Sequence, residues 1–200
     1  MTTSNDCKFC NADGKADKEK LKNELPGSIP CKTDIYDDNE YCFAILCPEQ
    51  YTIGHTLLLL EKHRTDITDN IPLEELVGFI TAIHKVAKHL KAVAENQQGN
   101  HPERIYVGIL CDGIEHLHAH LIPRYPFSKD DKQTYIDLFS ERDDEEKARN
   151  VAENGDIGGF WYVSEREKNW GKTQFGQKQG KEKVKYLQDL AEKLRMSKTE

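Results

Sequence analysis

Residues 116–124 read HLHAHLIPR, a stretch in which histidines alternate with apolar residues before a proline. In a β-strand, successive side chains point to opposite faces of the sheet. A strand here therefore predicts that His116, His118 and His120 share one face, while the apolar residues between them face a hydrophobic core. Each imidazole carries two ring nitrogens that need partners. Core packing alone therefore does not explain the histidine face.

Three kinds of role remain open for these histidines on the residues alone. They can be structural side chains whose nitrogens are satisfied locally or by solvent. They can be ligands of a metal ion, since imidazole is a common ligand. One of them can be a nucleophile that the others assist.

The length and charge of the chain limit the class of protein. Its 200 residues suit one domain with appendages, or at most two small domains. The formal net charge of −7 disfavours a nucleic-acid partner, because phosphate backbones attract basic surfaces. There is no run of 18 apolar residues, and the N-terminus MTTSNDCKFC lacks the apolar core of a signal peptide. We therefore expect a cytoplasmic protein with no membrane partner.

The six cysteines are expected to be free thiols or metal ligands, because a reducing cytosol disfavours disulfides. Cys7 and Cys10 form a C-x-x-C pair near the N-terminus. Cys42, Cys47 and Cys111 stand among apolar residues and are interpreted as small buried side chains.

The region from residue 31 to residue 125 alternates short apolar runs with one long periodic segment. Residues 31–47 predict a hairpin, and the four leucines at 57–60 predict a central strand. RIYVGIL, residues 104–110, predicts a strand. The tight connection CDGIE joins it to the histidine strand, which would run antiparallel to it. Residues 70–95 predict a helix with an apolar face of Leu73, Leu76, Val77, Ile80, Ile83, Ala87, Leu90 and Val93. The expected class is α+β, an antiparallel sheet of about five strands with a long crossing helix.

Residues 127–200 differ in character and are expected to form a charged C-terminal extension. GGFWYVS, residues 158–164, predicts a short aromatic strand or loop. The segment from Gly180 onward predicts an amphipathic helix, which makes the extension partly helical. The predicted division is a domain at 1–126 and the extension at 127–200, packed on or beside it.

Three motifs in this order resemble the histidine-triad (HIT) superfamily. HLHAHLI matches its signature of three histidines separated by apolar residues, and GHTLLLLEKHRTDITD at 54–69 resembles its Gly-His and Lys-x-His segment. An early C-x-x-C is found in zinc-containing, short-loop members. The resemblance covers roughly residues 6–126. It implies an enzyme that cleaves a nucleotide at the α-phosphate and works as a homodimer paired through the long helix and a sheet strand.

The resemblance also implies a role for each residue of the site. His118 would be the nucleophile and form a transient nucleotidyl-histidine, while His120 would share the catalytic work. His55 and His120 would bind the phosphate, and Asp112 is a candidate for the same site with an open role. The histidine at the third triad position favours hydrolysis over nucleotidyl transfer. No catalytic cofactor is expected.

A structural zinc is implied at Cys7, Cys10, His63 and His116, the positions that zinc-bearing relatives use. Four protein ligands would leave no position open for chemistry. The zinc would hold the N-terminal segment against the strand of the triad.

One departure from the family leaves the substrate open. Many relatives carry an Asp that binds the ribose, eight residues before the Gly-His histidine, and this chain has Cys47 there. The expected substrate is a dinucleoside polyphosphate or a nucleoside phosphoramidate. Two alternatives remain: a metal-dependent hydrolase with the triad as ligands, and a non-catalytic nucleotide-binding protein of the same fold.

Overall fold

The structure is a computed structural model, and it describes residues 7–25, 29–37, 40–109, 111, 114–140, 145–154, 157–169 and 176–196. The strands are β1 Glu24–Leu25, β2 Ile29–Pro30, β3 Asp34–Tyr36, β4 Cys42–Leu46, β5 Thr56–Leu60, β6 Arg104–Gly108 and β7 His118–Arg124. The helices are α1 Lys18–Asn23, α2 Leu73–Val93, α3 Lys129–Ser140, α4 Glu145–Asn154, α5 Gly159–Asn169 and α6 Gly180–Leu194. No helix within the described ranges is long and apolar enough to cross a membrane.

The central sheet has five antiparallel strands in the order β3-β4-β5-β7-β6, with α2 as the connection between β5 and β6. The α+β class, the five-stranded sheet and the long helix are therefore confirmed. Strand β7 begins at His118, two residues later than the sequence indicates. The register pairs His118 with Leu59 and His120 with Leu57 across β5 and β7. This pairing places the two histidines on the same face as those leucines.

The two faces of the sheet have different coverings. The main core lies on one face and buries Ala44, Leu46, Leu58, Leu60, Leu117, Ala119 and Leu121 beneath α2 and α6. The opposite face carries a smaller apolar group made of Ala16, Phe43, Ile45, Cys47, Leu57 and Leu59, with Phe9 and Leu21 packed against it. The predicted alternation along the histidine strand therefore holds, and the histidines lie on the second face.

Helix α2 turns only part of the predicted apolar stripe to the core, since Ile83, Ala87, Leu90 and Val93 pack there. Its buried side chains are Glu75, Phe79, Ala82, Val86 and Leu90. Three residues of the predicted apolar face point to solvent instead, since Leu73 is 72%, Val77 54% and Ile80 49% exposed. The apolar positions extend around much of the helix, and the sheet covers only one part of them.

The C-terminal extension contributes directly to the main core. Helix α6 buries Leu187, Leu190, Ala191 and Leu194 in it, as predicted for an amphipathic helix. The guanidinium of Arg195 then donates two hydrogen bonds to the carboxylate of Asp34, at 3.1 and 3.2 Å. Nε2 of His89 on α2 donates to the carbonyl oxygen of Leu194 at 2.9 Å, so α6 lies next to α2 in the layer that covers the sheet.

The prediction of a strand or loop for GGFWYVS is wrong, because α5 spans most of this segment. Helical spacing lets the Arg166 guanidinium stack over the ring of Tyr162, one turn earlier, at 4.9 Å. The Tyr162 side chain is buried, and Trp161 packs against Phe127 and Tyr135. Aromatic residues favour strands only where a sheet surface is available, and here the helix packing outweighs that preference.

Candidate active site and metal centre

His118 is fixed by the main chain of its own strand. Its Nδ1 donates a hydrogen bond to the carbonyl oxygen of His116 at 2.6 Å. A carbonyl can only accept, so Nδ1 carries the ring proton and Nε2 keeps its lone pair. Burial lowers the pKa of His118, which favours the neutral ring. A buried, neutral imidazole with one free nitrogen is the form that nucleophilic catalysis requires.

A row of imidazoles in close contact continues from His118 along the same face. Nε2 of His118 lies 3.2 Å from Nε2 of His120, and Nδ1 of His120 lies 3.0 Å from Nε2 of His55. Nδ1 of His55 donates to the carbonyl oxygen of Glu49 at 2.9 Å. The row therefore ends in a carbonyl at each side, and these two acceptors fix every tautomer within it.

The proton positions follow in sequence from the Glu49 carbonyl. His55 is protonated on Nδ1, so its Nε2 accepts from Nδ1 of His120. His120 is then protonated on Nδ1 and presents the lone pair of Nε2. Two lone pairs therefore face each other at the 3.2 Å contact between His118 and His120. This contact becomes favourable only when a proton or another hydrogen-bond donor lies between the two nitrogens.

Burial keeps the far part of the row uncharged. The pKa of His55 is lowered to about 3 by burial, with the neighbouring His120 adding to the effect. The pKa of His120 is lowered to about 4, again by burial first and then by His118. An anionic phosphate entering the site would oppose this effect, since a nearby negative charge favours the protonated ring.

Residues of the loop before β5 hold His55 in place. The ring of Tyr51 stacks on the ring of His55, with centroids 5.0 Å apart. The buried Gln50 side chain donates to the carbonyl oxygen of His55 at 2.7 Å and accepts from the Gly54 backbone at 2.8 Å. These contacts therefore hold the His55 ring in one orientation.

The second cluster consists of Cys7, Cys10, His63 and His116, whose possible ligand atoms all lie within 4.8 Å of one another. The Sγ of Cys10 lies 3.4 Å from Nδ1 of His63 and 3.3 Å from Nδ1 of His116. The Sγ of Cys7 lies 3.7 Å from the same atom of His116. All four predicted metal ligands are therefore brought together.

The geometry of this cluster fits a tetrahedral zinc ion. Tetrahedral angles with the usual Zn–S and Zn–N bond lengths give sulfur-to-nitrogen separations of about 3.6 Å. The three measured separations are 3.3, 3.4 and 3.7 Å. Nε2 of His116 donates to the carbonyl oxygen of Leu60 at 2.7 Å, which leaves the Nδ1 lone pair directed at the sulfurs. The donor set, the distances and the tautomer all suit a closed Cys2His2 site.

Binding of a cation would require the partly buried thiol of Cys10 to lose its proton. Burial raises the pKa of Cys10 to about 12, and the neighbouring Cys7 thiol adds to the effect. A second thiolate beside the first is unfavourable unless a positive ion neutralises the pair. Metal binding here would therefore release protons.

The N-terminal segment that carries the two cysteines is tied to the sheet. The backbone N–H of Ala16 donates to the carbonyl oxygen of Glu61 at 2.7 Å, and that of His63 donates to Gly14 at 3.0 Å. Phe9, which lies between the cysteines in sequence, packs edge-on against the rings of His116 and His118, at 5.9 and 5.7 Å. The segment therefore contacts both clusters.

The structure separates the triad into two groups. His118 and His120 lie in the row with His55, whereas the ring of His116 lies in the Cys2His2 cluster. Cys47 is buried in the apolar group of the histidine face and offers no carboxylate. Asp112 lies outside the described residues. The Glu49 carbonyl and the contact from Phe9 are parts of the site that sequence reasoning missed, because neither a backbone acceptor nor an aromatic contact has a motif.

Comparisons with known proteins agree on one family. A family model described as HIT domain matches residues 29–127. An uncharacterized HIT-like protein of Methanocaldococcus jannaschii is 33% identical over 103 residues, which cover 50% of this chain and 74% of that protein. A solved HIT-like protein of Bartonella henselae is 27% identical, with a TM-score of 0.42 over 51% of this chain and 73% of that chain. A Zn-bound histidine triad family protein of Mycobacterium smegmatis is 22% identical, with a TM-score of 0.41 over 71% and 90%.

Proposed function

The chain belongs to the HIT domain family, and from this premise we propose that it hydrolyses a nucleotide at its α-phosphate through a covalent intermediate on His118. The observation that supports the proposal best is the 2.6 Å hydrogen bond from Nδ1 of His118 to the His116 carbonyl. It leaves Nε2 as the free nitrogen, on the face of the sheet that also carries His120 and His55.

In the first step, Nε2 of His118 attacks the α-phosphorus and forms a P–N bond while the bond to the leaving group breaks. The electron pair of the broken bond departs with the leaving group, which takes up a proton. In the resting row Nε2 of His120 carries a lone pair, so His120 first takes up a proton from water on Nε2 when the anionic phosphate binds. It then delivers this proton to the leaving group while its Nδ1 stays engaged with His55. The modified ring of His118 becomes cationic, and the His116 carbonyl stabilises the charge through the Nδ1 proton.

In the second step, a water molecule attacks the phosphorus and the P–N bond breaks. The electron pair returns to Nε2 of His118, and the proton of the water passes to Nε2 of His120. The products are a nucleoside monophosphate and, once His120 has released this proton to solvent, the restored neutral row. His55 supports both steps by keeping Nδ1 of His120 engaged, so that its Nε2 always faces the phosphate.

The substrate class is a nucleoside phosphoramidate or a dinucleoside polyphosphate. The apolar side chains Phe43, Ile45 and Leu57 on the histidine face are buried and offer no open surface to a nucleobase. Cys47 is buried among them and cannot accept hydrogen bonds from ribose hydroxyls as a carboxylate would. Recognition would therefore depend mainly on the phosphate.

Zinc is the ion proposed for Cys7, Cys10, His63 and His116. With four protein ligands it would be structural and would join the N-terminal segment to β5 and β7. A set of thiolate and imidazole ligands favours zinc over the harder divalent ions such as Mg²⁺ and Ca²⁺.

A homodimer is proposed from the exposed apolar side chains of α2. Leu73, Val77 and Ile80 follow one another at intervals of about one helical turn and are about half exposed or more. Such a stripe on a polar chain is suited to a symmetric partner surface. A cytoplasmic location agrees with six free cysteines, of which four are buried.

The direct test of the proposed function is detection of the adduct. The full chain is mixed with an adenosine 5′-phosphoramidate and, separately, with a diadenosine polyphosphate, then quenched in acid-free conditions and measured by intact mass spectrometry. We expect a nucleotidyl mass increase on His118 in the wild type and none in His118→Ala. In ¹⁸O-water, the released monophosphate should carry one labelled oxygen. Turnover that is equal in both proteins would contradict the proposal.

The metal-dependent alternative is weakened by the separation of the triad rings. Within the described residues, the group identified as able to hold a metal ion is the Cys2His2 cluster, and it excludes His118 and His120. EDTA treatment that leaves one zinc per chain, checked by metal analysis, should leave turnover intact. Loss of turnover at constant zinc content, restored by added divalent ions, would favour the alternative. Nucleotide binding without any turnover would favour the non-catalytic protein.

A further inference from the structure

His116 takes part in both histidine clusters through different atoms. Its ring belongs to the Cys2His2 cluster, while its carbonyl oxygen accepts the hydrogen bond that sets the tautomer of His118. We infer that the Cys2His2 site positions the nucleophile: a metal held there fixes the His116 main chain, and through that carbonyl it fixes the His118 ring. The inference rests on the proposed role of His118 and makes His116 a positioning residue.

Hydrogen bonds from the ring and from the backbone N–H of His116 limit rotation of its peptide group. The residue is fully buried, and its Nε2 donates to the Leu60 carbonyl at 2.7 Å. Its backbone N–H donates to the Ile114 carbonyl at 2.7 Å. The remaining ring nitrogen, Nδ1, faces the sulfurs of Cys7 and Cys10 at 3.7 and 3.3 Å. A bound metal would therefore complete the attachment of this residue, and metal loss would leave its Nδ1 without a ligand bond.

A second contact runs from the same metal site to the same catalytic ring. Phe9 lies between the two cysteines, whose turn is closed by a hydrogen bond from the Cys10 N–H to the Cys7 carbonyl at 3.1 Å. Its ring packs edge-on against His118 with centroids 5.7 Å apart. A metal that joins the cysteines therefore also holds Phe9 in place. One contact fixes the protonated nitrogen of His118, and the other limits the orientation of its ring.

Loss of these two contacts would change which nitrogen of His118 is free. With the carbonyl displaced, the ring can rotate or protonate on Nε2, and the lone pair then no longer faces His120. Residues that orient a reactive histidine or metal ligand typically contribute about 10- to 100-fold in activity. We therefore expect metal loss to slow formation of the His118 adduct by roughly 10- to 100-fold, although the metal contacts no substrate.

The sharpest variants are His116→Ala and His116→Cys, because both keep the carbonyl at position 116. Nδ1 of a histidine lies two bonds from Cβ and a cysteine Sγ lies one, so the thiolate that His116→Cys introduces can occupy a ligand position and give a Cys3His zinc site. Cys31→Ser serves as a control outside both clusters. Its serine hydroxyl can replace the hydrogen bond that Cys31 makes to the Val184 carbonyl.

The readout that does not depend on activity is the ring tautomer of His118, measured by ¹⁵N NMR on histidine-labelled full-length protein. We expect one tautomer, protonated on Nδ1, in the zinc-loaded wild type, in His116→Cys and in Cys31→Ser. His116→Ala should lose zinc and show a second population protonated on Nε2, with adduct formation roughly 10- to 100-fold slower. Unchanged ¹⁵N signals of His118 in zinc-free His116→Ala would overturn the inference.

A further variant decides the matter if His116→Ala does not fold. Phe9→Leu keeps all four ligands and should bind one zinc per chain, but it removes the aromatic edge from His118. We expect a mixed tautomer population, and an unchanged spectrum would count against the inference. If the wild type forms no adduct with any substrate, the proposed function fails, while the tautomer measurement still decides whether the metal site controls His118.

Discussion

Two groups of histidines lie next to each other at the start of β7, and they differ in what their ring nitrogens contact. In the Cys2His2 cluster, the nitrogens of His63 and His116 converge on two sulfurs and form a closed set of four ligand atoms. In the row of His118, His120 and His55, each end donates to a backbone carbonyl, and a lone pair stays available in the middle. The same residue type therefore offers converging ligand atoms in one group and unshared lone pairs in the other. The second contact of each imidazole decides which nitrogen is available.

The largest effect is expected for His118→Ala, which tests whether the row alone carries the reactivity. Removal of a covalent nucleophile typically costs roughly 10³- to 10⁶-fold in kcat. We expect a loss in that range, measured by release of nucleoside monophosphate, with the zinc content still one per chain. A variant that lost zinc as well would contradict the separation between the two groups.

Cys10→Ser alters the other histidine group and tests whether the Cys2His2 cluster stabilises the fold. Because metal binding to such a site couples to folding, its loss should lower the free energy of unfolding by about 4 kcal/mol or more. Denaturant unfolding and metal analysis measure the two quantities together. Cys31→Ser is the matched control, with zinc retained and a much smaller change in unfolding.

The coupling within the row can be measured with His120→Ala, His55→Ala and the double variant. Loss of one group that stabilises phosphate charge costs about 10²-fold or more. Since His55 acts by orienting His120, the double variant should be no worse than His120→Ala alone. If the loss of kcat in the double variant equals the product of the two single losses, His55 contacts the phosphate independently of His120.

The smallest expected effect is a pH dependence of stability that comes from the row. The pKa of buried His55 is lowered to about 3, whereas an unfolded chain restores it to about 6.5. Below pH 6.5 the unfolded state binds the additional proton, so stability falls as pH decreases from 6.5 toward 3, by about 1.4 kcal/mol per pH unit at most. Above pH 6.5 this contribution is constant.

His55→Asn is the control for this measurement, because its amide can still donate to the Glu49 carbonyl but does not titrate. Urea unfolding between pH 7.5 and pH 4.5 should show a smaller slope for the variant. Equal slopes for both proteins would mean that His55 is not the source.

Parts of this picture were readable from local sequence, and others were not. The alternation in HLHAHLIPR predicted the two faces of β7, because side-chain direction in a strand has a period of two. The apolar face predicted for α2 was wrong at Leu73, Val77 and Ile80, because the period of a helix does not say which part of a wide apolar surface the sheet will cover. The prediction of a strand or loop for GGFWYVS was wrong, because the segment is helical and Tyr162 is buried by contacts with residues distant in sequence.

The sequence by itself determined the histidine face, the four possible metal ligands and the membership of a family. All three depend only on which residue types occur and on the spacing between them. Only the tertiary structure decided that His116, whose ring was an expected metal ligand, also accepts a hydrogen bond from the His118 ring through its carbonyl oxygen. It also decided which nitrogen of each histidine is free, because the deciding partners are carbonyl oxygens of His116, Leu60 and Glu49. Every residue has such an oxygen, so no sequence pattern distinguishes the ones that matter, and only the folded chain brings them within hydrogen-bonding distance.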